Sequence, residues 1–159
     1  MPARRPAPAR SRRAPTKTPT KARTKAPTKA PTKAPTTRAG LLARLRELCL
    51  ALPEAQEKVS HGEPTWFAGK GKVFAMLDDH HHGAAHLAVW LPMPPGRQGD
   101  LIDADPDRFF RPPYVGPSGW VGVVLDRDPD WGMVASLIEM AFRHVARPRL
   151  IAQLDAPAG

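Results

Sequence analysis

Apolar residues begin to recur regularly only after Arg38. Leu41, Leu42, Leu45, Leu48, Cys49 and Leu52 fall on one side of a 3.6-residue period, with Arg44, Arg46 and Glu47 off it. The spacing predicts an amphipathic helix with Thr37 as its N-cap and Pro53 as its stop. The period then changes to two. Thr65-Trp66-Phe67 reads as a short aromatic strand and Gly69-Lys70-Gly71 as a turn. Residues 72–77 form a strand with Val73, Ala75 and Leu77 on one face and Phe74 and Met76 on the other. Two apolar faces place that strand in the middle of a sheet. Asp78 to Gly83 is a polar turn. Alternation resumes from His86 to Leu91, with Leu87, Val89 and Leu91 opposite His86, Ala88 and Trp90. Short polar breaks between such runs predict an antiparallel meander.

Pro92-Met93-Pro94-Pro95-Gly96 breaks the sheet, and Gln98 to Ala104 reads as a short helix. Gly116-Pro117-Ser118-Gly119-Trp120 reads as a turn entering a strand over 120–125. It is not a nucleophile elbow, which needs Gly where Trp120 stands. The strongest helix follows. Asp128 is expected to cap it, with Pro129 at the first helical position and Asp130 complementing the dipole. Trp131, Val134, Leu137, Ile138, Ala141, Phe142 and Val145 make its buried stripe; Pro148 interrupts, and Leu150, Ile151 and Leu154 suggest a last short amphipathic turn or helix. Trp66, Trp90, Trp120 and Trp131 are all expected as core aromatics, and Cys49 as a buried, inert thiol. The fold class expected is α+β: an antiparallel sheet covered by N- and C-terminal helices, preceded by a disordered tail. The domains expected are a tail over 1–38, a folded part over 39–155 and a short C-terminal tail over 156–159.

Charge divides the chain at the same place. Residues 1–38 carry +12 and no acid, and hold eight of the 20 prolines; the remaining 121 residues carry −3. From Thr16 the tail repeats every four residues, ending in three Thr-Lys-Ala-Pro units. It has almost no apolar surface to offset its ordering entropy, and its prolines favour extended polyproline II. Fully extended at ~3.1 Å per residue, such an arm reaches on the order of 100 Å. Its cations are Arg4, Arg5, Arg10, Arg12, Arg13, Lys17, Lys21, Arg23, Lys25, Lys29, Lys33 and Arg38. A long acid-free cationic arm suits the phosphates of a nucleic acid, with steep salt dependence and no sequence preference. In composition it resembles the tails of linker histones and bacterial histone-like proteins. The alternative is an incidental, solubilising extension. No run of about 18 apolar residues predicts a membrane span. One cysteine builds no disulfide framework, and a cytoplasmic protein is expected.

The folded part carries a more specific pattern. Leu48-Cys49-Leu50-Ala51-Leu52-Pro53 precedes Ser60-His61-Gly62-Glu63-Pro64-Thr65-Trp66-Phe67. Lys72-Val73-Phe74-Ala75 and the run from Asp107 to Gly116 come next. Gly119-Trp120-Val121-Gly122-Val123 and an Asp130-Trp131 helix ending near Ala141-Phe142 complete the series. In this order the motifs resemble the MmcQ/YjbR family of small bacterial proteins. The resemblance implies a frataxin-like (CyaY-like) fold and DNA binding. It brings no catalytic residues, and the basic tail departs from the family pattern.

Because the folded part is acidic overall, DNA contact there must be local. Lys70 and Lys72 at a hairpin tip are candidates for phosphate contacts. Arg108 and Arg111, interleaved with Phe109, Phe110 and Tyr114, are candidates for clamping a strand. The competing reading has the two phenylalanines anchoring a connection to the sheet, with both arginines tied to nearby Asp. His61 and Glu63 could form an acid–base pair, but no nucleophile or phosphate loop accompanies them, and a turn is the simpler reading. His80, His81, His82 and His86 are the best metal candidates, with Asp78 and Asp79 near, but the set lacks a completing ligand. The function expected is therefore a non-enzymatic, non-specific DNA-binding protein without catalytic, metal or cofactor residues, associated with the nucleoid. The alternative is a small-ligand or protein-interaction domain with an incidental tail.

Overall fold

The structure, a computed structural model, describes residues 34–80 and 85–157. Helix α1 spans Arg38–Leu50. The Thr37 hydroxyl accepts from the Gly40 amide at 3.1 Å, the cap the sequence predicts. Leu41, Leu45 and Cys49 are buried, and Leu42, Leu48 and Leu52 pack at the margin of the core.

Six strands follow among the described residues: β1 (Ala55–Ser60), β2 (Glu63–Ala68), β3 (Val73–Asp79), β4 (Leu87–Pro92), β5 (Phe109–Phe110) and β6 (Trp120–Val124). Their order is β1-β2-β3-β4-β6-β5, with every neighbouring pair antiparallel. β4 and β5 both oppose β6, so they run parallel to each other. Helix α2 (Arg97–Ala104) lies on the crossover that joins them. β3 and β4 are central, as two apolar faces require.

The register sets one face of the sheet. Trp66 pairs with Ala75, Leu77 with Val89, Val89 with Val123 and Leu91 with Val121. All are buried, and they join α1 and helix α3 (Trp131–Val145) in one hydrophobic cluster. The fold is thus α+β, with terminal helices covering the sheet.

Four details depart from the sequence reading. β1 was not predicted. Its inward-pointing residue is Glu57, which takes a bidentate ion pair from Arg46 of α1 at 2.6 and 2.7 Å and a hydrogen bond from Trp66 Nε1 at 3.1 Å. The alternation rule looks for an apolar residue at that position and finds a salt bridge. Phe74 does not share a face with Met76. A register shift between Trp66 and Phe67 lets Phe74 join Ala75 on the helix side, where its ring meets Phe142 edge-on at 5.2 Å. Asp130, not Asp128, caps α3. Its carboxylate accepts from Met133 N at 3.1 Å, while Asp128 is left-handed at φ 44°. Trp120 is half-exposed and outside the core cluster, whereas Trp66 and Trp90 are buried and Trp131 packs against the core.

The last short segment is helix α4 (Pro148–Asp155), which takes Pro148 as its first residue and buries Leu150. Two ion pairs hold it. Arg143 of α3 grips Asp155 at 2.6 and 3.2 Å, and Arg149 grips Glu54 at 2.6 and 3.0 Å.

Candidate nucleic-acid interface

Strand directions sort the charges of the fold into two ends. β3 finishes at Asp79, β4 starts at Leu87 beside it, and β6 finishes next to Leu87, so one end gathers the loops after β3 and β6. Asp78, Asp79, Asp126, Asp128 and Asp130 lie there, and Asp105 and Asp107 line a groove with Val124 at the same end. The opposite end holds the β2–β3 turn with Lys70 and Lys72, the last turn of α3 with His144, and the α3–α4 junction with Arg147 and Arg149.

Two of the cations at the acidic end, Arg38 and Arg108, are engaged. Arg38 hydrogen-bonds and ion-pairs with Asp79, whose carboxyl it holds below the ordinary range. Arg108 is ion-paired to Asp105 at 3.4 Å, and its amide donates to the same carboxylate at 3.2 Å. Arg127 shares a groove with Asp105 and Asp107.

The basic end is different. Lys70, Lys72, Arg111 and Arg147 make no ion pair with a described residue. Lys70 and Arg147 border a groove of about 300 Å³ with Gly71 and Leu150. Glu54 lines the same groove, but Arg149 and Gln153 occupy its carboxylate and lower its pKa to about 2. Around the tip lies a second groove of about 460 Å³, whose walls include Phe67, Lys72, Val73, Pro92, Trp120 and His144. Lys58 Nζ sits 5.3 Å above the Phe67 ring. The β2–β3 turn that carries the lysines is possible because Gly69 accepts φ 61°.

The candidates from sequence are therefore not one patch. Lys70 and Lys72 stand together. β5 runs antiparallel to β6, so Arg111 passes toward the Trp120 end, its side chain lying over Gly116. Arg108 stays at the acidic end, bound to aspartate as the competing reading expected. Arg38, counted with the tail in the sequence, opens α1. The tail cations from Arg4 to Lys33 lie outside the described residues, as do His81 and His82. Sequence reasoning missed Arg147, His144 and the groove-lining role of Trp120. The half-polar surroundings of Trp120, after Ser118 and Gly119, were the only signal.

His61 is exposed at the turn between β1 and β2, where His61 and Gly62 take φ 53° and 82°, while Glu63 is buried. The pair shapes a two-residue hairpin of the positive-φ kind. His80 Nδ1 lies 2.8 Å from Asp79, and His86 Nδ1 lies 3.4 Å from Asp126. Among the described residues no group of three or more such side chains is placed to hold a metal ion. Burial pushes the Cys49 thiol well up, so no thiolate is available there. No helix among the described residues is long and apolar enough to cross a membrane.

Comparisons with known proteins agree with this architecture. The YjbR family model matches residues 50–144. The crystal structure of the Deinococcus radiodurans protein DR2400, described by the family-model domain DUF419, superposes with a TM-score of 0.58 at 20% identity, covering 73% of this chain and 88% of that one. At that identity the likeness is one of fold. No curated protein matches the chain at a significant level.

Proposed function

From the premise that the chain belongs to the YjbR family, we propose that it is a non-enzymatic DNA-binding protein. Its acid-free N-terminal segment supplies most of the affinity, and the basic end of the sheet positions the domain on the phosphates. The observation that carries this reading is the sorting of charge. A domain that carries −2 from Arg38 onward keeps Lys70, Lys72, Arg111 and Arg147 clear of ion pairs with described residues and ties Arg38 and Arg108 to aspartate. Lys70 and Lys72 on one turn, with Arg147 beside the groove, offer the cations that phosphate contact requires. The 11 cations from Arg4 to Lys33 add an electrostatic term without sequence preference. Cytoplasmic, nucleoid-associated placement goes with this proposal, as does the absence of a catalytic or cofactor role.

A salt titration of DNA binding tests it. The full chain is compared with a chain beginning at Ala34, which keeps the Thr37 cap and every residue of the hydrophobic cluster. If six to ten tail cations meet phosphates, affinity of the full chain falls about 10³–10⁵-fold between 50 and 200 mM salt. The shortened chain should bind far more weakly and with a shallower slope. Equal affinity and equal slope would remove the tail from the mechanism. No binding by either chain would favour a small-ligand or protein-interaction domain.

A further inference from the structure

We infer that the groove at the basic end binds unpaired nucleic-acid strands by stacking bases on Trp120 and Phe67, an inference that rests on the DNA-binding reading and narrows its substrate. Phe67 and Trp120 are partly exposed at one end of the strands, whereas Trp66 and Trp90 of the same sheet are buried. Both line the groove of about 460 Å³, which falls in the size range of small-ligand sites, roughly 300–1,000 Å³. Its floor is apolar, with Val73 and Pro92 between the two rings in the strand order.

Cations stand along its rim. Lys72 lines it, Lys58 lies over the Phe67 ring and Lys70 follows two residues before Lys72 on the same turn. Aromatic platforms flanked by ammonium groups match a chain that alternates flat bases with phosphates. Bases of a duplex are stacked on one another and offer no free face to Trp120. A strand with unpaired bases does, and its phosphates then fall to Lys58, Lys70 and Lys72.

The test uses the full chain at fixed salt near 0.2 M, with an oligothymidylate of about 20 nucleotides, its abasic counterpart and the matching duplex as probes. Wild-type protein should prefer the oligothymidylate to both others by about tenfold or more, with quenching of tryptophan fluorescence. Trp120→Leu should lose that preference and the quench while leaving duplex and abasic affinities unchanged. Phe67→Leu, which keeps Trp120, should lose part of the preference and guards against a folding defect in the first variant. Equal binding of all three probes, or a preference untouched by both variants, would overturn the groove inference and leave DNA binding standing. Failure to bind any probe would overturn the DNA-binding reading itself. Displacement of the oligothymidylate by polyglutamate of equal charge as readily as by itself would assign the groove to acidic peptides and overturn the inference.

Discussion

The two ends of the sheet are made from the same strands, yet one is electrostatically closed and the other open. At the Asp79 end every carboxylate-rich loop meets a cation or a histidine: Arg38 with Asp79, Arg108 with Asp105, His86 with Asp126. At the Lys72 end Glu54, the acid that lines the groove of Lys70, is already taken by Arg149. The lesson is that an exposed salt bridge can matter more for what it withholds than for what it stabilises. Exposed pairs of this kind contribute little to folding. Occupying Glu54 leaves Lys70 and Arg147 at their groove without a competing carboxylate, which is the condition for binding an external anion.

The strongest challenge to this comparison is structural. If the ends were independent units, damage near one would spare the other. Phe142 sits toward the basic end of α3, packed on Phe74. Phe142→Ala should cost about 3–5 kcal/mol. Both ends share one hydrophobic cluster, so hydrogen exchange should speed up at Leu77 and Val123 as much as at Phe74. Loss of protection confined to the Lys72 end would divide the domain in two.

A smaller effect separates the ends by function. Lys70→Glu with Lys72→Glu should lower DNA affinity about tenfold or more and reduce the salt slope by about 2. Arg108→Glu, made where the arginine is already held by Asp105, should leave the slope unchanged. Equal losses in the two proteins would erase the distinction.

The smallest effect is a titration. Glu54 is depressed from 4.5 to about 2, chiefly by its hydrogen bonds from Arg149. A folded-state pKa below the unfolded one gives a contribution that is full above pH ~4.5 and is lost as pH falls toward about 2. The α4 docking should therefore loosen in acid, seen as rising exchange at Leu150. In Glu54→Gln the rise should be smaller, the remainder coming from Asp155, whose carboxyl Arg143 also holds below its ordinary range.

Much of this architecture was legible in the sequence, for reasons that differ by element. α3 announces itself because five buried residues recur at helical spacing. The central strands do so because each supplies apolar side chains to the core. β1 was invisible because its inward residue is charged and its partner, Arg46, lies on another element. Phe74 was assigned to the wrong face because a bulge adds a residue to one strand without marking the sequence. The lysines of the candidate site were readable from the Gly-Lys-Gly turn. Their neighbours Trp120, His144 and Arg147 were not, since they come together only when β6 and the end of α3 reach the same edge. Arg108 and Arg111 are three positions apart in the chain and belong to opposite ends, which no local pattern reports.

The strand order has one more consequence. The sheet ends on one side in β1, six residues long, and on the other in β5, only two. A two-residue border offers almost no ladder to an incoming chain, so growth of the sheet by addition of foreign strands is confined to β1. Val59 on that border is 76% exposed, next to Lys58. An ammonium group in the middle of an otherwise adhesive border acts as a gatekeeper against edge-to-edge aggregation. Lys58 thus guards the solubility of the protein as well as standing over the Phe67 ring.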